Sequence, residues 1–503
     1  MPRRSRSIGA RESGAILHHP LAVASPSPAL HGVPLPWAEG SGDLPRRFAS
    51  REALEAELRR RFPEAGGGLS PIRGGRRAAE QRLAAMQPAR YGRSRNFLDG
   101  AVTRLSPYIR HGVLSLAEVR EAVFETLRAS GGREAGEKLI NELGWRDFWQ
   151  RVWRRLGDAI WDDVEPLKTG HVAASYANEL PAEIATASTG LACIDAFASE
   201  LVDTGWLHNH ARMWLAAYVV HWRRVRWQAG ARWFLQHLLD GDPASNNLSW
   251  QWVASAFSHK PYLFNRANLE RFSSGRYCSG CPAAGRGGAG TPGGCPFEAS
   301  YEELQARLFR PVHPRAEAAP VAHPHQGSAS TMSVAGSSPR KPLLWVHGEA
   351  LGPANPALRA HPGSPAVFVF DTELIDGRTA TTGGQGVGVV PVPLAPGRLR
   401  FLRECLSELP VSVREGDVVA ELLEAAATVG ADGIVTSQAV DPRFGAIAAR
   451  LARALPLRIL EPEPFVELPW NGRGAPDLGR FSRYWRRAEP RVWGAGSGPS
   501  SGR

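Results

Sequence analysis

Thr204–Phe257 reads TGWLHNHARMWLAAYVVHWRRVRWQAGARWFLQHLLDGDPASNNLSWQWVASAF. Apolar residues recur at helical spacing in ARMWLAAYVVHWRRVRW (211–227) and ARWFLQHLLDG (231–241), with hardly any β-type alternation between them. The same period runs upstream through REALEAELRRRF (51–62), EKLINELGWRDFWQRVWRRL (137–156) and IDAFASELVDTG (194–205). Ser115, three residues before Glu118, has the form of a capping box opening another helix. An all-α block follows, closing near Phe309 after a loop rich in Cys and Gly.

Beyond that block the texture changes. Residues 311–341, rich in Pro, Ala and Ser, read as an interdomain linker. PLLWV (342–346), AVFVF (366–370) and DGIVT (432–436) are short apolar runs set between Pro/Gly turns and helical stretches such as RLRFLRECLSEL (398–409). That alternation predicts a Rossmann-like parallel α/β domain. The expected organisation is a disordered leader over 1–40, a helical domain over 41–310, the linker over 311–341, an α/β domain over 342–470 and a tail over 471–503.

The chain has 503 residues, enough for two cores, and 43% of them are apolar. No run approaches the length of a membrane span, and the basic N-terminus leads into no apolar segment, which predicts a cytoplasmic protein without a membrane partner. The net charge of +11 favours an anionic partner such as DNA, although arginine-rich termini account for much of it. Five cysteines without a secretion signal point to thiols or a metal site. Sixteen tryptophans are many; packed indoles fill cores, relay electrons or stack on bases.

The quoted run resembles the flavin-cradling core of photolyases and cryptochromes, through TGW-HN-x-x-RM, W-x-x-G-x-x-WF and DGD-x-A-x-N-N-x-x-WQW in order. RYGRSRNFLDGAVTRLSPYIRHGVLS (90–115) and NELGWRDFW (141–149) extend the likeness to about residues 75–270. The resemblance implies flavin adenine dinucleotide (FAD). Its diphosphate would be held by Thr103, Leu105 and Ser106 with Tyr91 close by, and its ring by Asn209, Arg212, Asp240, Asp242 and Asn246. It further implies that Trp250 and Trp227 are inner and middle members of an electron-carrying tryptophan chain, with Trp222 and Tyr176 as candidates for the third. Glu142, Trp145, Met213 and Trp252 fall where photolyases contact a flipped-out pyrimidine dimer. Two departures stand out: Val102 replaces a family hydroxyl residue before Thr103, and Leu248 and Ser249 replace the glycines after the Asn pair.

Cys278-x2-Cys281 with Cys295 in a Gly-rich loop is a spacing that metals use. YCSGC and GCPF resemble motifs of the iron–sulfur bacterial photolyases and cryptochromes, which makes Cys193 the fourth ligand of an expected [4Fe–4S] cluster, with zinc as the alternative. Cys405, on an amphipathic helix, reads as a buried hydrophobe. LLWVHGEALGPANPAL, from Leu343, resembles the start of the family's α/β domain, which ordinarily comes first, so the chain resembles a circularly permuted member. No residue identifies an antenna pigment. The implied activity is light-driven repair of pyrimidine dimers; the alternatives are a cryptochrome-like photoreceptor with a protein signalling partner, and an iron–sulfur DNA-binding protein without photochemistry.

Overall fold

Why the first part of the chain is helical is visible at its helix ends. Ser115 and Glu118 form the expected capping box, each side chain accepting the other's backbone N–H at 3.0 and 2.7 Å, and open the helix Leu116–Ser130. The longest helix, Glu134–Leu156, stops where Gly157 takes a positive φ of 58°. Asn209–Ala217 runs on into a π-helical turn over Tyr218–Trp222, and Trp227–His237 and Pro243–Ala254 follow. The computed structural model describes residues 35, 42–62, 70–130, 132–311, 339–376 and 392–495; the leader and the linker expected from the sequence lie almost wholly outside the described residues.

The second part is a parallel sheet of β1 (Pro342–Val346), β2 (Ala366–Asp371), β3 (Ser412–Gly416), β4 (Gly433–Ser437) and β5 (Leu457–Leu460), in the order β3-β2-β1-β4-β5. Leu344 on the central strand lies opposite Ala366 and Val435. β1 and β4 are buried along their whole length, as strands covered on both faces must be. Asn355 caps the helix Pro356–Ala360 by accepting from Ala357 and Leu358.

One continuous apolar core joins the two parts. It includes Leu54, Leu105, Phe148 and Phe257 of the helical block, Leu344, Phe368 and Phe401 of the α/β part, and Tyr484. The sequence reading needs a correction at the C-terminus. Residues expected to form a tail hold the helix Phe481–Ala495, whose Trp485 packs against Gly144 of the long helix so closely that a Cβ there would lie 2.2 Å from the indole. Tyr484 donates to Asp147 at 2.6 Å, and Arg151 donates to the carbonyls of Val466 and Leu468. Among the described residues no helix is long and apolar enough to cross a membrane.

Candidate functional site

The turn before Asn209 positions the first of the candidate residues. Gly205 closes the preceding helix, Ala192–Thr204, in the left-handed conformation (φ 66°), and Trp206 donates its N–H to Thr204 Oγ1. His208 caps the next helix by accepting from His210 N at 3.1 Å. Burial, and then the neighbouring His210 and Arg212, push the His208 imidazole down to about 4. Arg212, one turn in, donates through Nη2 to both oxygens of Asp240 (3.1 and 2.9 Å) and through Nε to Leu207 O.

Asp240, Gly241 and Asp242 form the turn that follows. Asp242 caps Pro243–Ala254, accepting from Ser245 N and Oγ and from Gln150 Nε2, with Arg146 at 3.4 Å and Arg110 at 4.0 Å. Burial opposes its charge, but Arg146, Arg110 and Ser245 together hold the carboxyl below its ordinary range. These donors fix the loop through Asp242, most of them at Oδ2, and Oδ1 receives only Gln150 within hydrogen-bond distance among the described residues. Asn246, one turn on, gives both amide hydrogens to protein, at Ala231 O and Asn247 Oδ1 (3.0 Å each). The buried Asn247 Nδ2 has no hydrogen-bond partner.

Trp250 lies a further turn along, edge-on to Phe234 with centroids 4.9 Å apart. Its ring leaves no room for a side chain at Gly230, where a Cβ would come within 2.2 Å. Trp227, three residues before Gly230, is buried; it donates Nε1–H to Asp163 Oδ1 at 2.6 Å and stacks parallel to Trp161 at 6.5 Å, 9°. Sequence reasoning missed both Asp163 and Trp161. Of the two residues it offered as a third chain member, Trp222 donates to Pro296 O and packs on Phe264 and Phe297, and Tyr176 pairs with Thr169.

On the presumed substrate side, Glu142 pairs with Arg95 (2.8 Å) and Lys138 (3.4 Å). Tyr91 sits in the same group, its hydroxyl pushed up to about 12 by burial and then by Glu142. Arg95 also acts electrostatically on His210, which brings Glu142 to the end of the helix bearing Asn209 and Met213. Asn209 donates to Met213 Sδ at 3.6 Å. Trp145 stacks face to face on Phe481 (3.8 Å, 10°), and Trp252 leans on Tyr262. In the expected diphosphate loop, Arg104 has φ 52°, a strained value for a side chain of its size, with its guanidinium 4.5 Å over Trp206. Thr103 Oγ1 accepts from Leu105 N at 3.4 Å; the Leu105 side chain is buried in the core, and Ser106 opens a five-residue helix.

Cys193, Cys278, Cys281 and Cys295 line one cavity with Arg266, Tyr277 and Phe297. None is in a disulfide. Burial, followed by the other three cysteines, drives the Cys193 thiol far up, and burial takes Cys278 to about 11. Among the described residues, however, no group of three or more His, Cys, Asp or Glu is gathered to hold a metal ion. A second cavity, of about 260 Å³, opens between the carboxyl ends of β1, β2 and β4 and the helical block, walled by Trp345, Glu349, Phe368, Asp441, Arg110 and Trp161. Such a place, where strand order reverses, is where open α/β sheets bind ligands. No motif in the sequence announced it.

Residues 139–274 match a protein family described as the FAD binding domain of DNA photolyase. A deoxyribodipyrimidine photo-lyase of Streptomyces griseus is 40% identical over 154 residues, 31% of this chain and 32% of that protein. The photo-lyase of Synechococcus sp. is 30% identical over 219 residues (39% and 43%), and that of Thermus thermophilus 34% identical over 237 residues (45% and 54%). The photolyase and cryptochrome family is supported by all of these matches. The chain spans between about a third and about half of the length of these relatives. The photolyase-type segment contains the Arg212–Asp240 pair, Asn246, Trp227, Trp250, Glu142 and Cys193, whereas the Thr103–Ser106 loop and Cys278, Cys281 and Cys295 lie outside it.

Proposed function

We propose that this chain is a blue-light-driven, photolyase-like flavoprotein that repairs pyrimidine dimers in DNA by electron transfer from reduced FAD. The observation that carries the reading is the ordered wall Arg212–Asp240, Asn246 and Trp250 within the segment that matches the photolyase FAD-binding family. When bound, the flavin supplies the light-driven electron; the protein supplies position and a dry, tuned surrounding. Asn246, with its amide hydrogens committed, has a carbonyl oxygen left to accept from the ring, and the unpartnered Asn247 Nδ2 marks a polar lining that suits such a guest. Arg212, neutralised by Asp240, would orient the ring, with Asn209, Thr103, Leu105, Ser106 and Tyr91 as the remaining contacts and Asp242 holding the loop.

Glu142, Trp145, Met213 and Trp252 would receive the flipped-out dimer, the carboxylate by hydrogen bonding and the aromatic faces by stacking. The surplus of basic residues would steer the protein to DNA. The aromatic cavity at the sheet's carboxyl edge is a place for a light-collecting pigment. The domain order is that of a circularly permuted family member, with the helical part first.

Cys193, Cys278, Cys281 and Cys295, which line one cavity, would be the ligands of a [4Fe–4S] cluster, with zinc as the alternative. Changing Cys193 to Ser is expected to bleach the broad visible absorption of the cluster, and unchanged absorption removes that cysteine from the ligand set.

The test of function is to incubate purified protein with dimer-bearing single- and double-stranded DNA under blue light and in the dark, and count the dimers left. Loss of dimers in the light alone is expected. Intact dimers with normal flavin photoreduction would instead favour a photoreceptor and its signalling partner; a protein that takes up no FAD defeats both readings.

A further inference from the structure

We infer that Asp163 is the proton acceptor for Trp227 when that indole gives up an electron, so that the electron deficit comes to rest on Trp227 as a neutral radical and is not passed outward to Trp161. The inference rests on the flavin-binding reading above and assigns a role to a residue that no motif marks.

The geometry begins with the 2.6 Å hydrogen bond from Trp227 Nε1–H to Asp163 Oδ1. The loop that carries Asp163 is pinned on both sides of that residue. Gln251, fully buried beside Trp250, accepts from Val164 N at 2.9 Å and donates to Ile160 O at 3.0 Å. Gln228, beside Trp227, donates to Trp161 O at 3.2 Å. The neighbours of the two chain indoles therefore clamp the loop that presents the acceptor, and the proton needs no search to find it.

The charges around the two outer indoles have opposite signs. Arg232 places its guanidinium 4.4 Å over the ring of Trp161, which makes removal of an electron from that ring costlier, while the Asp163 carboxylate makes it cheaper at Trp227. The parallel stack at 6.5 Å would otherwise favour transfer between the rings. Burial holds the Asp163 carboxyl above its ordinary range; the Trp227 N–H and Arg226 oppose that and Asp162 adds to it. A carboxylate raised in this way is the stronger base.

The step balances. Trp227 loses one electron, by way of Trp250, to light-excited oxidised flavin and its N–H proton to Asp163: one N–H bond breaks, one O–H bond forms, and the Trp227–Asp163 pair passes from a charge of −1 to neutral as the electron leaves it. An indole that has lost an electron is a far stronger acid than the indole itself, which drives the transfer. A soluble thiolate supplies the replacement electron, and the proton returns from Asp163 to the ring nitrogen.

The test uses the full-length, FAD-loaded protein after a blue flash. In the unaltered protein, transient absorption should show the deprotonated tryptophan radical, and the light-minus-dark infrared spectrum should show a deuterium-sensitive protonated carboxyl band. Asp163→Asn should keep its FAD content, lose the infrared band and lower the long-lived radical at least about tenfold, because the electron returns before the proton leaves. Asp163→Glu should restore much of both signals, and Trp161→Phe should leave the radical yield within about twofold. Undiminished neutral radical in Asp163→Asn, or its loss in Trp161→Phe, overturns the inference while leaving the flavoprotein reading intact. Should the unaltered protein take up no FAD or show no photoreduction, the flavin reading itself falls and takes the inference with it.

Discussion

Arg212 and Asp240 test how far a single pair governs the site. The Asp240 carboxylate is 4% exposed; among the described residues Arg212 is its ion-pair partner, and Arg398 acts on it from farther away. Arg212→Ala would leave that buried charge with only the distant guanidinium, at a cost of about 2–3 kcal/mol, and release FAD. Thermal unfolding and flavin absorbance check this; an unfolding midpoint lowered by less than about 2 °C with flavin still bound would refute it. His208 and His221 set a pH dependence. Each is buried and each is pushed from 6.5 down to about 4, by burial first. Their folded values lie below the unfolded one, so between pH 6.5 and 4 the unfolded chain binds protons that the folded chain does not. Their contribution to stability is complete above pH 6.5 and is lost as the pH falls towards 4. Denaturant melts at pH 7 and pH 5 should show the drop, reduced when His221 is replaced by Gln. The Arg212–Asp240 pair was legible because both residues lie within one contiguous motif-bearing run. Asp163 and Trp161 were not: they meet Trp227 across more than 60 residues of chain, a contact that only the packing of separate helices creates.

At the scale of elements, periodicity carried the helices and the buried strands. It failed for the last helix, because Pro490 lies inside it and arginines crowd its exposed side, hiding a stripe of Phe481, Tyr484, Trp485, Ala488 and Val492. That helix backs the presumed lesion pocket. Phe481 holds one face of Trp145, and Trp485 fills the notch that Gly144 provides. Removing the ring in Phe481→Ala forfeits about 1 kcal/mol of stacking and frees Trp145 to turn. Binding of dimer-bearing DNA should weaken roughly fivefold while FAD content stays the same, and Phe481→Tyr should restore it. Equal affinity in Phe481→Ala would show that Trp145 needs no backing.

At the scale of the whole molecule, the linker does less than the seam. His111 bridges the carbonyls of Gly348 and Leu239, Leu351 donates to His111 O, and Gly112 lies so close to Glu349 that a Cβ would meet its carbonyl at 2.1 Å. Arg398, from the α/β part, donates to the carbonyls of Leu235 and Gly241, the latter between Asp240 and Asp242. On another face, the Phe481–Ala495 helix grips the long helix through Trp485 and the Tyr484–Asp147–Arg151 cluster. An apolar core shared by both parts makes this an obligate interface, the kind that holds without covalent help. A covalent link contributes only an effective concentration on the order of mM, which such an interface does not require. Domain order along the chain is then nearly free to change. A protease site placed between Pro311 and Pro339 should therefore be cut without parting the halves: they should co-elute at micromolar concentration, keep their flavin, and separate only in denaturant. Two peaks under native conditions would mean that the linker, and not the seam, holds the flavin wall against the sheet.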